Sequence, residues 1–353
     1  MTEMRAAGKS YRPLTLHEFA RRMPKAELHV HLEGAIRPAT LLELAQRNAV
    51  TLPVHNEREI AEFYHFRDFA RFVEVYLQTT ACLQTPDDYR LVAYRFGSNC
   101  AEQNVRYAEV FFTVASNMRM TGLSWETILG ALNQGRAQAN AEFGVDWRWM
   151  LDISREKPET QDAVVDIALA ARSLGVVALG LGGPEAEYPA ELFQRAFERA
   201  RRAGLPRVPH AGETAGPESV WAALHLLNAD RIGHGVRAVE SPDLIEHLRR
   251  MQIPLDVCPT SNIRLGVYSG YAQHPLRRLW DAGLMITIGS DDPPMFGTDL
   301  NHEYEVLIDE FGFDRGELER ISLNAVHCSL LPEAEKARLA ASFEAEFAAI
   351  STE

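Results

Sequence analysis

Eight times along the chain a short apolar run gives way to a loop and, in most cases, to an amphipathic helical stretch. The runs cover 26–34, 105–113, 147–154, 176–183, 206–213, 231–236, 254–262 and 285–293. Helical patterns fill 189–204, 218–229, 243–251 and 275–283, and Gly283 stands where a helix end favours glycine. Repeated strand–helix units require a parallel sheet with helical crossovers. Eight of them predict an α/β fold closed as a (β/α)8 TIM barrel, with its chemistry at the C-terminal strand ends. The alternative is an open doubly wound sheet. That fold wants a glycine-rich phosphate turn after its first strand, and HLEGAIRP is not one.

No linker or low-complexity tract divides the 353 residues, so 1–353 is expected to form one barrel domain. The segment 41–100, after the first strand, is long for a crossover and holds more than one helix. Within it, 66–77 sets Phe66, Phe69, Phe72 and Val73 on one side. Such a stripe is either a helix packed on the barrel or a lid over the site.

Composition removes several classes of function. A net charge of −13 disfavours nucleic acid or anionic membrane as the main partner and leaves a small molecule or another protein. Cys82, Cys100, Cys258 and Cys328 lie far apart with no CxxC pair, the pattern of reduced thiols. The opening MTEMRAAGKSYRPL has no apolar run fit for a signal peptide, and no stretch is long enough to span a bilayer. A cytoplasmic protein is expected.

Polar groups collect at the strand ends. In ELHVHLEG, His29 and His31 alternate along a strand and so share one face. Strand five ends in His210-Ala-Gly-Glu213, strand six carries Gly233-His234-Gly235, and strand eight ends in Ser290-Asp291-Asp292-Pro293. Each has an ordinary reading. The histidines could be hydrogen-bonded core residues, His234 could occupy a tight turn, and Asp291-Asp292-Pro293 could cap a helix. Together these readings need four coincidences at one rim, where buried imidazoles and acids are costly unless paired or metal-bound. Three histidines and one carboxylate suit a hydrolytic zinc with an open position for water. Strand four, VVALGLGG, has no lysine of the kind that bridges two metals in some known binuclear barrels, and by that likeness one zinc per chain is expected. The paired signature of one class of zinc deaminases, H-x-E with P-C-x-x-C, is absent, since no P-C-x-x-C occurs.

PKAELHVHLEGAIRP (24–38), HAGETAGPESV (210–220), RIGHGVRA (231–238), VCPTSN (257–262) and SDDPPMFGTDLNHEY (290–304) jointly resemble the adenosine deaminase family of amidohydrolase barrels. The resemblance implies zinc on His29, His31, His210 and Asp291. It implies Glu213 as proton donor to purine N1 and His234 as the group that orients the attacking water and assists its deprotonation. Asp292 would bond purine N7, and the Gly183 backbone would donate to N3. Glu33 replaces the aspartate that meets a ribose 5′ hydroxyl in many members. Gly182-Gly183-Pro184-Glu185 replaces AGDE, and DDPPMFGTDL differs from the DDPAYFGG associated with adenine deaminases.

These departures look most like the branch acting on 6-aminodeoxyfutalosine in menaquinone biosynthesis. That substrate is an adenine nucleoside with a benzoate-bearing extension beyond C5′. Such an extension wants a basic group, and Arg37, Arg67 and Arg71 are the candidates. Adenosine or 2′-deoxyadenosine is the alternative substrate. Free adenine, or a zinc-stabilised barrel that only binds a ligand, is less favoured.

Overall fold

The computed structural model describes residues 14–64, 66 and 69–351, and all eight expected strands are present. They are β1 (Lys25–His31), β2 (Val105–Phe112), β3 (Asp146–Ser154), β4 (Val176–Gly182), β5 (Arg207–Ala211), β6 (Ile232–His234), β7 (Leu255–Val257) and β8 (Ile286–Ile288). Each pairs in parallel with the next in chain order. The ring is completed just past β8, where Val30 bridges to Asp291. There the His31 N–H donates to the Asp291 carbonyl at 2.9 Å and the Asp291 N–H to the His29 carbonyl at 3.1 Å. The chain is therefore a (β/α)8 TIM barrel.

Helix α1 (Leu16–Arg22) precedes β1. The long connection to β2 contains α2 (Pro38–Arg47), α3 (Glu57–Phe63), α4 (Phe69–Thr80) and α5 (Pro86–Glu102). Next come α6 (Val114–Thr121) and α7 (Trp125–Phe143), then α8 (Gln161–Ala170), α9 (Gln194–Arg202), α10 (Pro217–His225) and α11 (Pro242–Met251) as single crossovers. α12 (Pro259–Arg264) and α13 (Leu276–Asp281) lead into β8, and α14 (Pro293–Phe296), α15 (Leu300–Asp309), α16 (Arg315–Cys328) and α17 (Glu333–Ser351) follow it. Local chemistry sets these boundaries. Proline opens α2, α5, α10 and α11, where its missing N–H is no loss. Gly283, at φ 78°, ends the α13 segment as the sequence led us to expect.

One expected helix is trimmed. α4 begins at Phe69 rather than at residue 66, and Phe66 lies outside it. Phe66 instead packs its ring on Phe72 (5.4 Å between centroids) and Phe296 (6.1 Å). Among the described residues no helix is long and apolar enough to cross a membrane. All four cysteines are free thiols.

The barrel interior is layered. Outside the sheet one large apolar core joins strands to helices. Inside it, Phe111, Met150, Ala178 and Val208 form a separate small cluster. Toward the N-terminal strand ends sits an ionic layer, in which Arg231 reaches Glu109 Oε2 at 2.7 Å and Asp256 Oδ2 at 2.6 Å. Tyr107 donates to Glu109, Thr287 donates to Asp256, and Arg231 also donates to the Leu28 and Cys328 carbonyls. All three charged groups are buried. Burying charges is expensive, and the pairing here is nearly saturated. Replacing Arg231 with Met would strand two carboxylates in the barrel. The expected result is a loss of about 3–5 kcal/mol in the stability measured by urea unfolding.

Candidate active site

The closure of the barrel assembles the site. Because His29 and His31 alternate on β1 and Asp291 is hydrogen-bonded between them, three polar side chains meet at one seam. β5 adds His210, and its neighbour β6 adds His234 in the adjacent register. His29, His210, His234 and Asp291 each offer a ligand atom within 4.8 Å of the others. His31 joins the same centre, with Nε2 at 3.2 Å from His210 Nε2 and 3.3 Å from Asp291 Oδ1. Phe111 forms the floor, stacked on His31 at 4.9 Å and edge-on to His29 at 5.0 Å. Gly233 is needed for this crowding, since a Cβ there would stand 2.8 Å from the His29 ring.

The electrostatics fit a cation. Both His29 ring nitrogens and His210 Nδ1 are buried with no hydrogen-bond partner, a state that buried polar atoms rarely keep. Burial holds His31 down to about 4, and burial with the neighbouring imidazoles holds His210 well below its ordinary range. Neutral imidazoles are the form that binds metal. Burial pushes the Asp291 carboxyl up, but the imidazoles of His29, His234 and His31 outweigh it and keep the group ionised. Ser261 Oγ donates to Asp291 Oδ2 at 2.6 Å, which leaves Oδ1 facing His29 and His31. Asp291 at φ 64° and His234 at φ 61° both occupy the left-handed region, a strain that collects at functional sites.

Glu213 faces this centre, with Oε1 3.6 Å from His234 Nε2 and no hydrogen-bond partner. Burial, then the charges of Asp291 and Glu185, raise it well above the usual carboxylate range despite Arg155 nearby. Burial thus favours the protonated form, which can donate a proton. Its backbone is fixed. Glu185 accepts from the Glu213 N–H (3.2 Å) and the Ala215 N–H (2.9 Å), while Arg155 donates to the His210 carbonyl (2.8 Å).

Asp292 is the N-cap of α14, yet its side chain makes no capping bond. Its carboxyl lies over Gly34, where a Cβ would meet Asp292 Oδ1 at 1.6 Å, and Oδ1 is unpartnered. Burial and the charge of Asp291 raise it well above the usual range.

These groups open onto a cavity of about 720 Å³ including its mouth, in the size range of small-molecule sites. Gly183, at φ 110°, lies on its wall. α4 covers it with Phe69, Phe72, Val73, Tyr76 and Leu77. Phe72 also stacks on Phe296 of α14 at 5.3 Å, joining that helix to the loop that carries Asp291 and Asp292.

Other expected residues lie elsewhere. Glu33 is fully buried and does not line the cavity. Its Oε1 accepts from the Thr113 N–H, the Thr113 hydroxyl and Asn117 Nδ2, and Thr113 lines the cavity in its place. Arg37 pairs with Glu102 and lines clefts outside the barrel mouth, and Arg71 pairs with Glu74 over the Phe63 ring. Arg67 lies outside the described residues. Sequence reasoning passed over Asp152, a buried β3 carboxylate on the cavity wall 3.7 Å from His31 Nδ1. Its only signal was an acid within an otherwise apolar run.

Imidazoles from strands one, five and six, an aspartate after strand eight and a neutral acid at one barrel mouth define a hydrolase of the metal-dependent amidohydrolase type. The family model described as adenosine deaminase matches residues 24–345, and the chain belongs to that family. It is 43% identical to an aminodeoxyfutalosine deaminase of Streptomyces avermitilis, over 95% of this chain and 94% of the relative. It is 37% identical to an adenine deaminase of Bordetella parapertussis, over 89% of this chain and 99% of the relative. An amidohydrolase from Burkholderia ambifaria, solved with bound Zn, superposes with a TM-score of 0.88 at 29% identity, covering 98% of this chain and 97% of the other. The chain is a hydrolytic deaminase of adenine-type substrates.

The Glu185 carboxylate offers a direct check on how the acid is held. Glu185→Ala leaves one buried and one part-buried N–H without an acceptor and should cost about 1–3 kcal/mol in chemical unfolding. A variant as stable as the parent would show that the turn carrying Glu213 stands without it.

Proposed function

We propose that the protein removes the 6-amino group of an adenine nucleoside with one zinc per chain, and that the nucleoside is 6-aminodeoxyfutalosine. The observation that carries the reaction is the buried Glu213 carboxyl, its Oε1 unpartnered and its pKa raised by burial, beside a gathered set of buried imidazoles. His29, His31, His210 and Asp291 would hold the metal. When bound there, zinc makes hydroxide available at neutral pH by lowering the pKa of a water to about 7.

The chain's own groups do the rest. Glu213 gives its proton to N1, and the charge drawn from the ring makes C6 electrophilic. His234 Nε2, between Glu213 and Asp291, orients the attacking water and stabilises charge on its oxygen. Asp292, raised well above its usual range by burial, hydrogen-bonds N7 as a donor. The Gly183 backbone meets N3. Collapse at C6, with the proton of the added hydroxyl passing to the departing amino group, releases ammonia and a 6-oxo purine, and the proton given up by the water restores Glu213.

Two features favour a nucleoside with an extension over free adenine. The cavity is lined by the apolar wall of α4 as well as by the acid and imidazoles, which offers surface for a group beyond the purine. The 43% identity to the Streptomyces avermitilis enzyme points the same way. In this reading Thr113, whose proton is given to Glu33, presents lone pairs to the sugar. The aryl ring of the extension lies against Phe69, Phe72 and Val73, and α4 acts as a lid. Among the described residues no arginine or lysine lines the cavity, so the benzoate carboxylate is read as pointing out of the mouth.

Steady-state deamination of aminodeoxyfutalosine, adenosine and adenine, followed in the purine absorbance band, ranks the substrates. kcat/KM should favour aminodeoxyfutalosine by about tenfold or more. Comparable turnover of free adenine would remove the nucleoside reading. Glu213→Gln should keep its zinc and lose about 10²–10⁴-fold in kcat. Asp291→Ala should lose zinc, measured by elemental analysis against one ion per chain in the parent.

A further inference from the structure

A line of buried hydrogen bonds runs away from His234 into the body of the protein, through residues to which no role has been assigned above. His234 Nδ1 lies 3.3 Å from Asn262 Nδ2. Asn262 Oδ1 lies 3.1 Å from His274 Nε2. The Leu276 backbone N–H donates to His274 Nδ1 at 3.2 Å. All three side chains are buried.

The direction of every bond follows from the last one. A backbone N–H can only donate, so His274 Nδ1 must accept. A neutral imidazole that accepts at Nδ1 carries its proton on Nε2. Burial holds His274 down to about 3, which keeps it neutral at working pH. Its Nε2–H therefore donates to Asn262, and the amide oxygen must face it. That fixes the amide nitrogen toward His234 Nδ1, where it donates. His234 then carries its own proton on Nε2, the nitrogen 3.6 Å from Glu213 Oε1 and 3.9 Å from Asp291 Oδ2. The rings of Tyr268 and Phe311, 5.1 and 5.6 Å from His274, wall the relay with apolar surface.

We propose that Asn262 and His274 are positioning residues that lock His234 in its Nε2-protonated tautomer. The consequence is a division of labour within one crowded cluster. His29, His210 and His234 all present nitrogens to the same space. A nitrogen that carries a proton has no lone pair for a metal. The relay thus withholds His234 from the metal and keeps it as a hydrogen-bond donor. This inference rests on the role proposed above for His234, and it supplies the reason this histidine can perform it.

The test is Asn262→Asp, which keeps the shape and removes the donor. A carboxylate can only accept, so His234 Nδ1 must carry a proton toward it. In the Ser-His-Asp triad the converse isosteric change costs about 10⁴-fold in kcat by fixing the wrong tautomer. Here kcat should fall by about 10³-fold or more while KM stays within about threefold. ¹⁵N NMR of histidine-labelled, zinc-loaded protein reads the tautomer itself. The parent should show His234 protonated on Nε2, and Asn262→Asp should show it protonated on Nδ1. A parent spectrum with the proton on Nδ1 overturns the proposal, and it decides the matter even if the variant does not fold. Retention of more than about a third of kcat overturns it too. So does a raised KM at unchanged kcat, which would make Asn262 a substrate contact. Full activity in His234→Ala would instead undo the role of His234 and leave the relay without a purpose.

Discussion

The barrel is joined where its chemistry stands. Among the described residues one backbone bridge links the last strand region to the first, and it pairs Val30 with Asp291. The two hydrogen bonds flanking it involve the backbones of His29, His31 and Asp291. Any loosening of this seam moves three metal-ready side chains at once. The strained φ of Asp291 persists because the seam over-determines it, with a backbone bond on either side and Ser261 on the carboxylate. Fold and site are thus held by the same few contacts, and the remaining elements supply support around them.

That support is graded by layer. Below the imidazoles an aromatic floor, Phe111, and then a paired ionic layer around Arg231 fill the cylinder. Beside them, Glu185 and Arg155 hold the backbone on which Glu213 and His210 stand. The arrangement spends burial on groups that would rather be solvated, and it leaves several of them unpartnered. Such groups are tolerated when a ligand completes them, and a cation, a water and a purine together would supply what His29, Glu213 and Asp292 lack.

The order and position of all eight strands were legible because each is short, apolar and bounded by loops, and because the barrel repeats one unit. The main polar groups were legible because they interrupt those runs at their C-terminal ends. Other features were hidden by rules that sequence spacing cannot express. Alternation alone would set Glu27 beside His29, but the β1 register slips between Glu27 and Val30, and Glu27 instead binds Ser290 in another cleft. Glu33 follows the histidines so closely that it reads as a site residue, yet Thr113 and Asn117 capture it from the next strand and helix. Arg37 and Arg71 read as free cations, and local acids engage both. Asp152 and the partners of Arg231 are single acids inside apolar runs, visible as odd letters but assignable only once the cylinder closes. Asn262 sat in a recognised motif and His274 in none, and only their distances join them.

The sealed floor also bears on traffic. With Phe111, Met150 and Arg231 fully packed beneath the imidazoles, the chamber is a cul-de-sac whose described walls offer no back door. On the proposed reading, substrate, water, ammonia and the 6-oxo purine all pass through the mouth that α4 covers. In that reading C6 faces the imidazoles at the bottom of the chamber, so ammonia forms behind the purine and its escape waits on departure of the purine. If α4 is the lid proposed above, turnover is paced by how often that amphipathic helix swings clear.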